Sequence, residues 1–175
     1  MDHAPPHNRP VTVSREGRDW AVRTQLWLPR PRSEVFEFFA DAHNLEELTP
    51  TLLRFHVVTP RPIDMHAGTL IDYRLRIRGV PITWKTEIQA WEPGVRFVDN
   101  QLKGPYVKWW HEHTFEDLDG GTLCGDLVLY RPPGGPFAPI VNWMAVERDV
   151  RAIFEFRTKK LLERFGTPSE ASDAA

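Results

Sequence analysis

Cysteine is almost missing: Cys124 is the only one in 175 residues. That excludes an internal disulfide framework and any cysteine-built metal centre. An excess of one charge is missing too. The formal balance is −2, and no Lys/Arg stripe marks any segment, so the footprint of a nucleic-acid binder is not there. No uninterrupted apolar run approaches the ~20 residues of a membrane span. The opening Met-Asp-His-Ala-Pro-Pro-His has neither a basic nor an apolar region and does not read as a secretory signal. These absences leave a soluble cytoplasmic protein as the expectation, long enough for one domain with a sizeable core. Aromatic side chains are what the chain has in quantity. Seven Trp and ten Phe imply large apolar surfaces to bury, in a core or around a ligand.

Residues 1–10 hold three prolines and no apolar pattern, and are expected as a tail, as is 167–175. A single domain is expected over 11–166. Val11 to Leu28 alternates as a long first strand, with a turn or bulge near Gly17. Pro29 and Pro31 end it, and Ser33-Glu34 supply a polar start for a short helix carrying Val35, Phe36, Phe38 and Phe39. A second helical piece spans 45–48. Strand patterns then follow one another at 54–58, 70–77, 82–91, 96–102, 107–118 and 123–130. Their joints at Gly79-Val80, Pro93-Gly94, Gly104-Pro105 and Asp119-Gly120 are short enough for antiparallel hairpins. The last element runs from Pro139 to Phe165, roughly 40 Å of helix. Trp143, Val146, Val150, Ile153, Phe154, Leu161 and Phe165 fall on one arc of it. Arg157 lies inside that apolar arc, where an unpaired guanidinium would be costly.

The stretch with most chemistry is Val107 to Phe115. Its alternation puts Trp109, His111, His113 and Phe115 on one face and Lys108, Trp110, Glu112 and Thr114 on the other. A two-residue turn at Asp119-Gly120 would set His113 opposite Asp126, Phe115 opposite Cys124 and Trp109 opposite Tyr130. A turn at Gly79-Val80 would set Leu75 opposite Trp84 and Tyr73 opposite Thr86.

Three readings of these residues stand side by side. His111 and His113 resemble two metal ligands on a strand, but zinc needs a third, such as Asp126, His56 or His66, and no cluster of defined spacing supplies it. No metal and no cofactor are therefore expected. His113 with Asp126 resembles half of an acid–base pair, its alternative being a structural cross-strand contact. Arg157 either anchors a ligand's carboxylate or pairs internally with Asp126, Glu87 or Asp72. Cys124, in an apolar strand, reads as an inert filler. Imidazoles, phenols, an acid and an arginine on one inner surface favour a pocket over a dry core, where several would go unsatisfied.

The order strand, two short helices, antiparallel meander, long helix resembles the helix-grip fold of the START and Bet v-type (SRPBCC) superfamily, in its polyketide cyclase/dehydrase-like bacterial ligand-binding branch. The matching residues are Pro31-Arg32-Ser33-Glu34-Val35-Phe36 with His43-Asn44-Leu45, Tyr73 through Gly79-Val80-Pro81-Ile82-Thr83-Trp84, and Phe97-Val98-Asp99-Asn100-Gln101-Leu102-Lys103-Gly104-Pro105-Tyr106. They continue through Trp109, His111, His113, Phe115, Asp126, Tyr130, Pro132 and Ile153-Phe154-Glu155-Phe156-Arg157. The resemblance covers roughly residues 20–166. It implies an α+β fold in which a curved antiparallel sheet of about seven strands wraps a long C-terminal helix and encloses a cavity for a lipid-like or polycyclic molecule. Fold leaves the chemistry open. The expected ligand-contacting residues are Tyr73, Trp84, Gln101, Trp109, His111, His113, Phe115, Asp126, Tyr130, Phe154 and Arg157. A cyclase or dehydratase using His113, Asp126 and Arg157 is the alternative, and a purely structural polar network the third. Nothing in the sequence points to a protein partner.

Overall fold

The computed structural model describes residues 7–167. Eight antiparallel strands form one sheet. They are β1 (Arg9–Glu16), β2 (Asp19–Leu28), β3 (His56–Val57), β4 (Leu70–Ile77), β5 (Val80–Glu92), β6 (Arg96–Lys103), β7 (Lys108–Leu118) and β8 (Gly121–Arg131). The sheet order is β1-β2-β8-β7-β6-β5-β4-β3. From β3 to β8 the chain is a meander of neighbours, and the first hairpin docks beside the last strand. The long first strand expected from Val11 to Leu28 is two strands, because Gly17 takes φ +61 and closes a tight turn. Residues 7–10, expected as tail, are part of the fold. Arg9 opens β1, Asn8 Oδ1 accepts from the Trp27 amide at 2.6 Å, and His7 Nε2 lies 2.8 Å from Asp119 Oδ2. His3 and the rest of the expected tails, apart from Thr167, lie outside the described residues.

The β7–β8 register is the expected one, with His113 opposite Asp126, Phe115 opposite Cys124 and Trp109 opposite Tyr130. The β4–β5 register differs: Tyr73 faces Trp84 and Leu75 faces Ile82. The turn residues are Arg78 and Gly79, with φ of +52° and +84°, rather than Gly79 and Val80. A turn with two left-handed residues cannot readily use a β-branched valine, whereas Gly79 adopts that conformation freely. The slip is by two residues, so every side chain keeps its face.

Helix α1 (Arg32–Ala40) starts from Pro31 without a side-chain cap, so Ser33 sits inside the first turn on the exposed side. The second helical piece is a 3-10 turn at Ala42–Glu46. The C-terminal helix comprises α2 (Ala138–Val141), a π turn at Asn142–Val146 and α3 (Glu147–Phe165). That π turn explains why Trp143, expected on the buried arc, is 79% exposed. A wide turn shifts the phase of everything before it. Asn142 takes the inward position instead, its Oδ1 accepting from the buried Tyr130 hydroxyl at 2.9 Å.

The core is divided. Val150 and Phe154 of α3 pack with Trp20, Val22, Val128 and Tyr130. Leu161 and Phe165 pack with α1 and with Phe97, Phe115 and Cys124. A third cluster, around Val57, Ile71, Tyr73 and Ile88, belongs to β3–β5 and contains no residue of α3. Cys124 is buried, and burial pushes its thiol pKa up, as suits a filler. No helix among the described residues is long and apolar enough to cross a membrane.

Two outcomes are expected for stability. A Cβ on Gly120 would meet no heavy atom within 4 Å, so only its φ of +75° opposes substitution. Gly120→Ala should therefore lower unfolding free energy by about 1 kcal/mol, and Gly120→Asn by clearly less, in urea titrations. On the sheet's outer surface, Asp19 accepts from Lys108 Nζ at 2.8 Å and Arg131 Nε at 2.7 Å. Burial raises its pKa, but these two bonds outweigh burial and leave it below the ordinary value. A carboxyl depressed in this way contributes stability above its unfolded pKa and loses it as pH falls through the folded one. Asp19→Asn should cost about 1–3 kcal/mol at neutral pH. The gap to the unsubstituted protein should close in acid, below that depressed pKa.

Candidate functional site

Between α3, α1 and the inner faces of β4–β7 lies a pocket of about 740 Å³. It exists where the third core cluster and α3 fail to meet. Its walls come from alternate residues of successive strands: Tyr73 and Leu75, Trp84, Thr86 and Ile88, Phe97 and Asp99, then Trp109, His111 and His113. Phe38 and Phe39 of α1 and Ile153, Phe154 and Arg157 of α3 close it. At the rim, Arg78 grips Asp149 with two hydrogen bonds of 3.1 and 3.3 Å, pinning the β4–β5 turn to α3.

One flank of the pocket is an aromatic box. Trp84 and Trp109 meet edge to face at 5.4 Å, and Tyr106 lies 5.7 Å from Trp84 and 4.8 Å from Trp109. The Trp84 indole N–H donates to Thr86 Oγ1 at 3.1 Å. Burial pushes the Tyr73 and Tyr106 phenols well up, so both stay protonated.

The polar end is a compact cluster. His111 and His113 stand side by side on β7 with ring centroids 3.8 Å apart. Each is nearly fully buried. Asp126 Oδ1 lies 2.8 Å from His111 Nε2 and 3.0 Å from His113 Nδ1. Asp99 Oδ2 lies 3.2 Å from His113 Nε2 and 3.5 Å from His111 Nδ1. All four ring nitrogens therefore face a carboxylate oxygen. Phe97 stacks on His113 at 4.3 Å and Phe154 abuts His111 at 5.5 Å, so rings cover two sides of the cluster. Arg157 reaches in from α3, with Nη1 3.7 Å from Asp126 Oδ1 and its guanidinium over the Phe154 ring at 4.9 Å. Its Nε and Nη1 have no hydrogen-bond partner although both are buried.

These contacts set the charges. Burial would raise the Asp126 carboxyl, but the hydrogen bonds from His111 and His113 outweigh it and hold the group well below the ordinary range. Asp99 is lowered too: burial opposes ionisation, and the charge of His111 and the hydrogen bond to His113 overcome it. His113 goes up, since its two carboxylate contacts outweigh burial. His111 goes down, because burial and the neighbouring His113 outweigh them. Two adjacent imidazoles are thus pushed in opposite directions by one environment, as like charges in contact must be.

A family model described as polyketide cyclase / dehydrase and lipid transport matches residues 28–156. The chain belongs to this family. Among solved structures, it resembles protein Ms6760 from Mycobacterium smegmatis at 18% identity and a TM-score of 0.61, covering 87% of this chain and 95% of that one. It resembles ginseng major latex-like protein 151 from Panax ginseng at 15% identity and a TM-score of 0.52, with 78% and 97% covered. It also resembles part of a nucleoside-diphosphate sugar epimerase from Corynebacterium glutamicum at 24% identity and a TM-score of 0.58. There the match covers 81% of this chain and 28% of the other. No curated protein matches the sequence significantly. At these identities the structural likenesses speak for the fold, the helix grip with its sheet curled about a long C-terminal helix.

Of the residues expected to meet a ligand, Tyr73, Trp84, Trp109, His111, His113, Phe154 and Arg157 line the pocket. Gln101, Phe115, Asp126 and Tyr130 do not form its wall. Gln101 Nε2 donates to the Tyr106 carbonyl at 2.7 Å, bracing the Gly104-Pro105 loop. Phe115 is buried against Phe36 and Phe39 beyond the histidines. Asp126 stands behind the imidazoles, and Tyr130 is consumed by Asn142. Of the three internal partners considered for Arg157, Asp126 is the one in reach; Asp72 instead pairs with Lys85 at 3.5 Å. Asp99 and Tyr106 were missed. Asp99 shares alternation parity with Phe97 and Gln101, which was a usable signal. Tyr106 lies in a loop, where no periodicity gives it a face.

The cluster makes the two charged residues unequal in what they support. Asp126→Ala removes the acceptor of two buried imidazoles and is expected to cost about 3 kcal/mol. Arg157→Met, which removes a guanidinium with unfilled donors, should change stability by about 1 kcal/mol or less. Chemical denaturation of both variants measures the contrast.

Proposed function

We propose that this protein binds a small hydrophobic molecule, lipid-like or polycyclic, with one polar end. The observation that carries this reading is the asymmetry of the pocket. A volume of about 740 Å³ lies in the range of small-molecule sites. Most of its wall is aromatic or aliphatic, and its buried basic groups, His111, His113 and Arg157, stand together beside Asp99, whereas the arginines elsewhere in the lining, Arg54, Arg76 and Arg78, are exposed. The unfilled Nε and Nη1 donors of Arg157 suit a carboxylate, enolate or carbonyl oxygen. Trp84, Trp109 and Phe154 are the proposed walls, and Tyr73 a polar contact along the way. Family membership supports an apolar ligand without naming it.

A second reading uses the same residues for chemistry. In it His113, held 3.0 Å from Asp126, is an acid–base group, and Arg157 steadies an enolate as a cyclase or dehydratase would require. Binding is preferred because both His113 nitrogens are turned to carboxylate oxygens, at 3.2 and 3.0 Å, rather than to the open pocket.

Anilinonaphthalene sulfonate is a suitable probe, being polycyclic and anionic at one end. It is expected to bind with enhanced fluorescence and energy transfer from Trp84 and Trp109. Leu75→Trp, which fills the pocket, should weaken binding by an order of magnitude. Solvent extraction of freshly purified protein followed by mass spectrometry should recover an apolar molecule in near-stoichiometric amount. Undiminished probe affinity in Leu75→Trp, together with an empty extract, would sink the reading.

A further inference from the structure

We propose that Asp99, His111 and His113 form a binding site for one divalent first-row cation of the zinc type, with an open position towards the pocket. The sequence offered two of the three ligands and no third. Asp126 was considered for that role, but it stands on the far side of the rings. His56 pairs with Glu46 at 2.9 Å and His66 turns to the Ala67 carbonyl, so neither is available. β6 supplies the missing ligand by setting Asp99 directly opposite His111.

Three geometric facts carry the assignment. The first is convergence: one ligand atom from each of Asp99, His111 and His113 lies within 4.8 Å of the others. The second is spacing. Ligand atoms about 2.0–2.2 Å from one tetrahedral ion stand about 3.3–3.6 Å apart. Asp99 Oδ2 is 3.2 Å from His113 Nε2 and 3.5 Å from His111 Nδ1, so two edges of such a shell already exist. The third is the support behind the rings. His111 Nε2 hydrogen-bonds Asp126 at 2.8 Å, which directs its Nδ1 lone pair at Asp99 Oδ2, 3.5 Å away. His113 hydrogen-bonds Asp99 through Nε2 at 3.2 Å, and Asp126 Oδ1 lies 3.0 Å from its Nδ1. A cation that displaces the Nε2 proton therefore leaves the Nδ1–H of His113 a carboxylate to face. Carboxylate-backed imidazoles are also how metal-bound histidines are usually oriented.

Charge is compatible with this. With neutral imidazoles, the carboxylates of Asp99 and Asp126 against the Arg157 guanidinium leave one net negative charge. A divalent ion turns that into one net positive charge. Its fourth position would therefore take hydroxide or an anionic ligand oxygen, with the unfilled donors of Arg157 nearby. Two nitrogens and one carboxylate oxygen suit Zn²⁺, Co²⁺ or Fe²⁺ better than Mg²⁺ or Ca²⁺. The other groups packed on the cluster, Phe39, Phe97 and Phe154, offer no competing ligand. The ion's open position rests on the pocket being a binding site; its coordination by the protein does not.

The test is Co²⁺ titration of full-length protein pretreated with a chelator, read by visible d–d absorption and by metal analysis after desalting. One equivalent with a tetrahedral-type spectrum, displaced by Zn²⁺, is the expected result. Asp99→Asn and His113→Gln should abolish that spectrum, and Asp126→Asn should weaken Co²⁺ binding about 10–100-fold. A native far-UV circular dichroism spectrum and a cooperative thermal transition show that the variants are folded. Absence of cobalt uptake by the unsubstituted protein overturns the assignment, whatever the variants do. So does uptake that Asp99→Asn leaves unchanged, since the ion would then sit elsewhere. Either failure leaves the probe experiment on the pocket untouched.

Discussion

A strand cannot choose the faces of neighbouring residues independently, and β7 carries its histidines two apart. Once Trp109 and Phe115 are committed to the interior, the period of two commits His111 and His113 as well. Two imidazoles so placed lose water and must be given acceptors from within the fold. The neighbouring strands provide them, Asp126 from β8 and Asp99 from β6, each opposite one of the histidines. The interior polarity of the domain follows from this one constraint. Asp126 serves two rings with one oxygen, Arg157 offsets the accumulated negative charge, and Phe97 and Phe154 seal the edges.

The pocket has a different origin, in coverage. A sheet of eight strands offers more inner surface than one long helix and one short one can bury. α3 closes over β2 and β8 at one end and joins α1 over Phe97 and Phe115 at the other. The strands β3–β5 must make their own small core. The space left between is lined by inward residues whose partners would have come from a second helix. Rings suit this role: Trp84 meets Tyr106 and Trp109 edge to face, Tyr106 and Trp109 are tilted against each other, and the three so hold a wall without a filled interior behind them.

Much of this was legible in the chain because it is local and periodic. Alternation gave the faces of β4, β5, β7 and β8, and Asp119-Gly120 gave the β7–β8 register residue by residue. Arg157 was marked as an inward arginine by its place on the apolar arc. What escaped depended on long-range or irregular geometry. The Arg78-Gly79 turn requires knowing which of two plausible pairs takes positive φ. Trp143 leaves the buried arc because a π turn resets helix phase, and the bond from Tyr130 to Asn142 that accompanies it joins a strand to a helix across an irregular connection. Asp99 was on view in β6, yet its partnership with His111 needs the β6–β7 register, which the irregular Gly104-Pro105 loop conceals. Tyr130 faces inward but is taken up by Asn142, and Gln101 turns its amide N–H to the Tyr106 carbonyl.

That last distinction bears on how such a cluster should be read. Buried polar groups that satisfy one another completely have nothing left for a ligand, however suggestive their identities. Tyr130 with Asn142 is of that kind. The Asp99–His111–His113–Asp126 cluster is not, because its count of donors and acceptors does not close. Four ring nitrogens face carboxylate oxygens, and two neutral imidazoles bring one hydrogen each. Any completion requires positive charge from outside the neutral side chains, held between Asp99 and the rings. A proton on His113 is the smallest such charge, and it agrees with the upward direction of that group's pKa. Meanwhile the guanidinium that could have supplied the deficit stays 3.7 Å from Asp126, with two of its own nitrogens unfilled. Deficit and surplus stand side by side without cancelling. Geometry holds them apart, and the gap between them opens on the pocket, which is where a bound molecule's polar atoms would complete both.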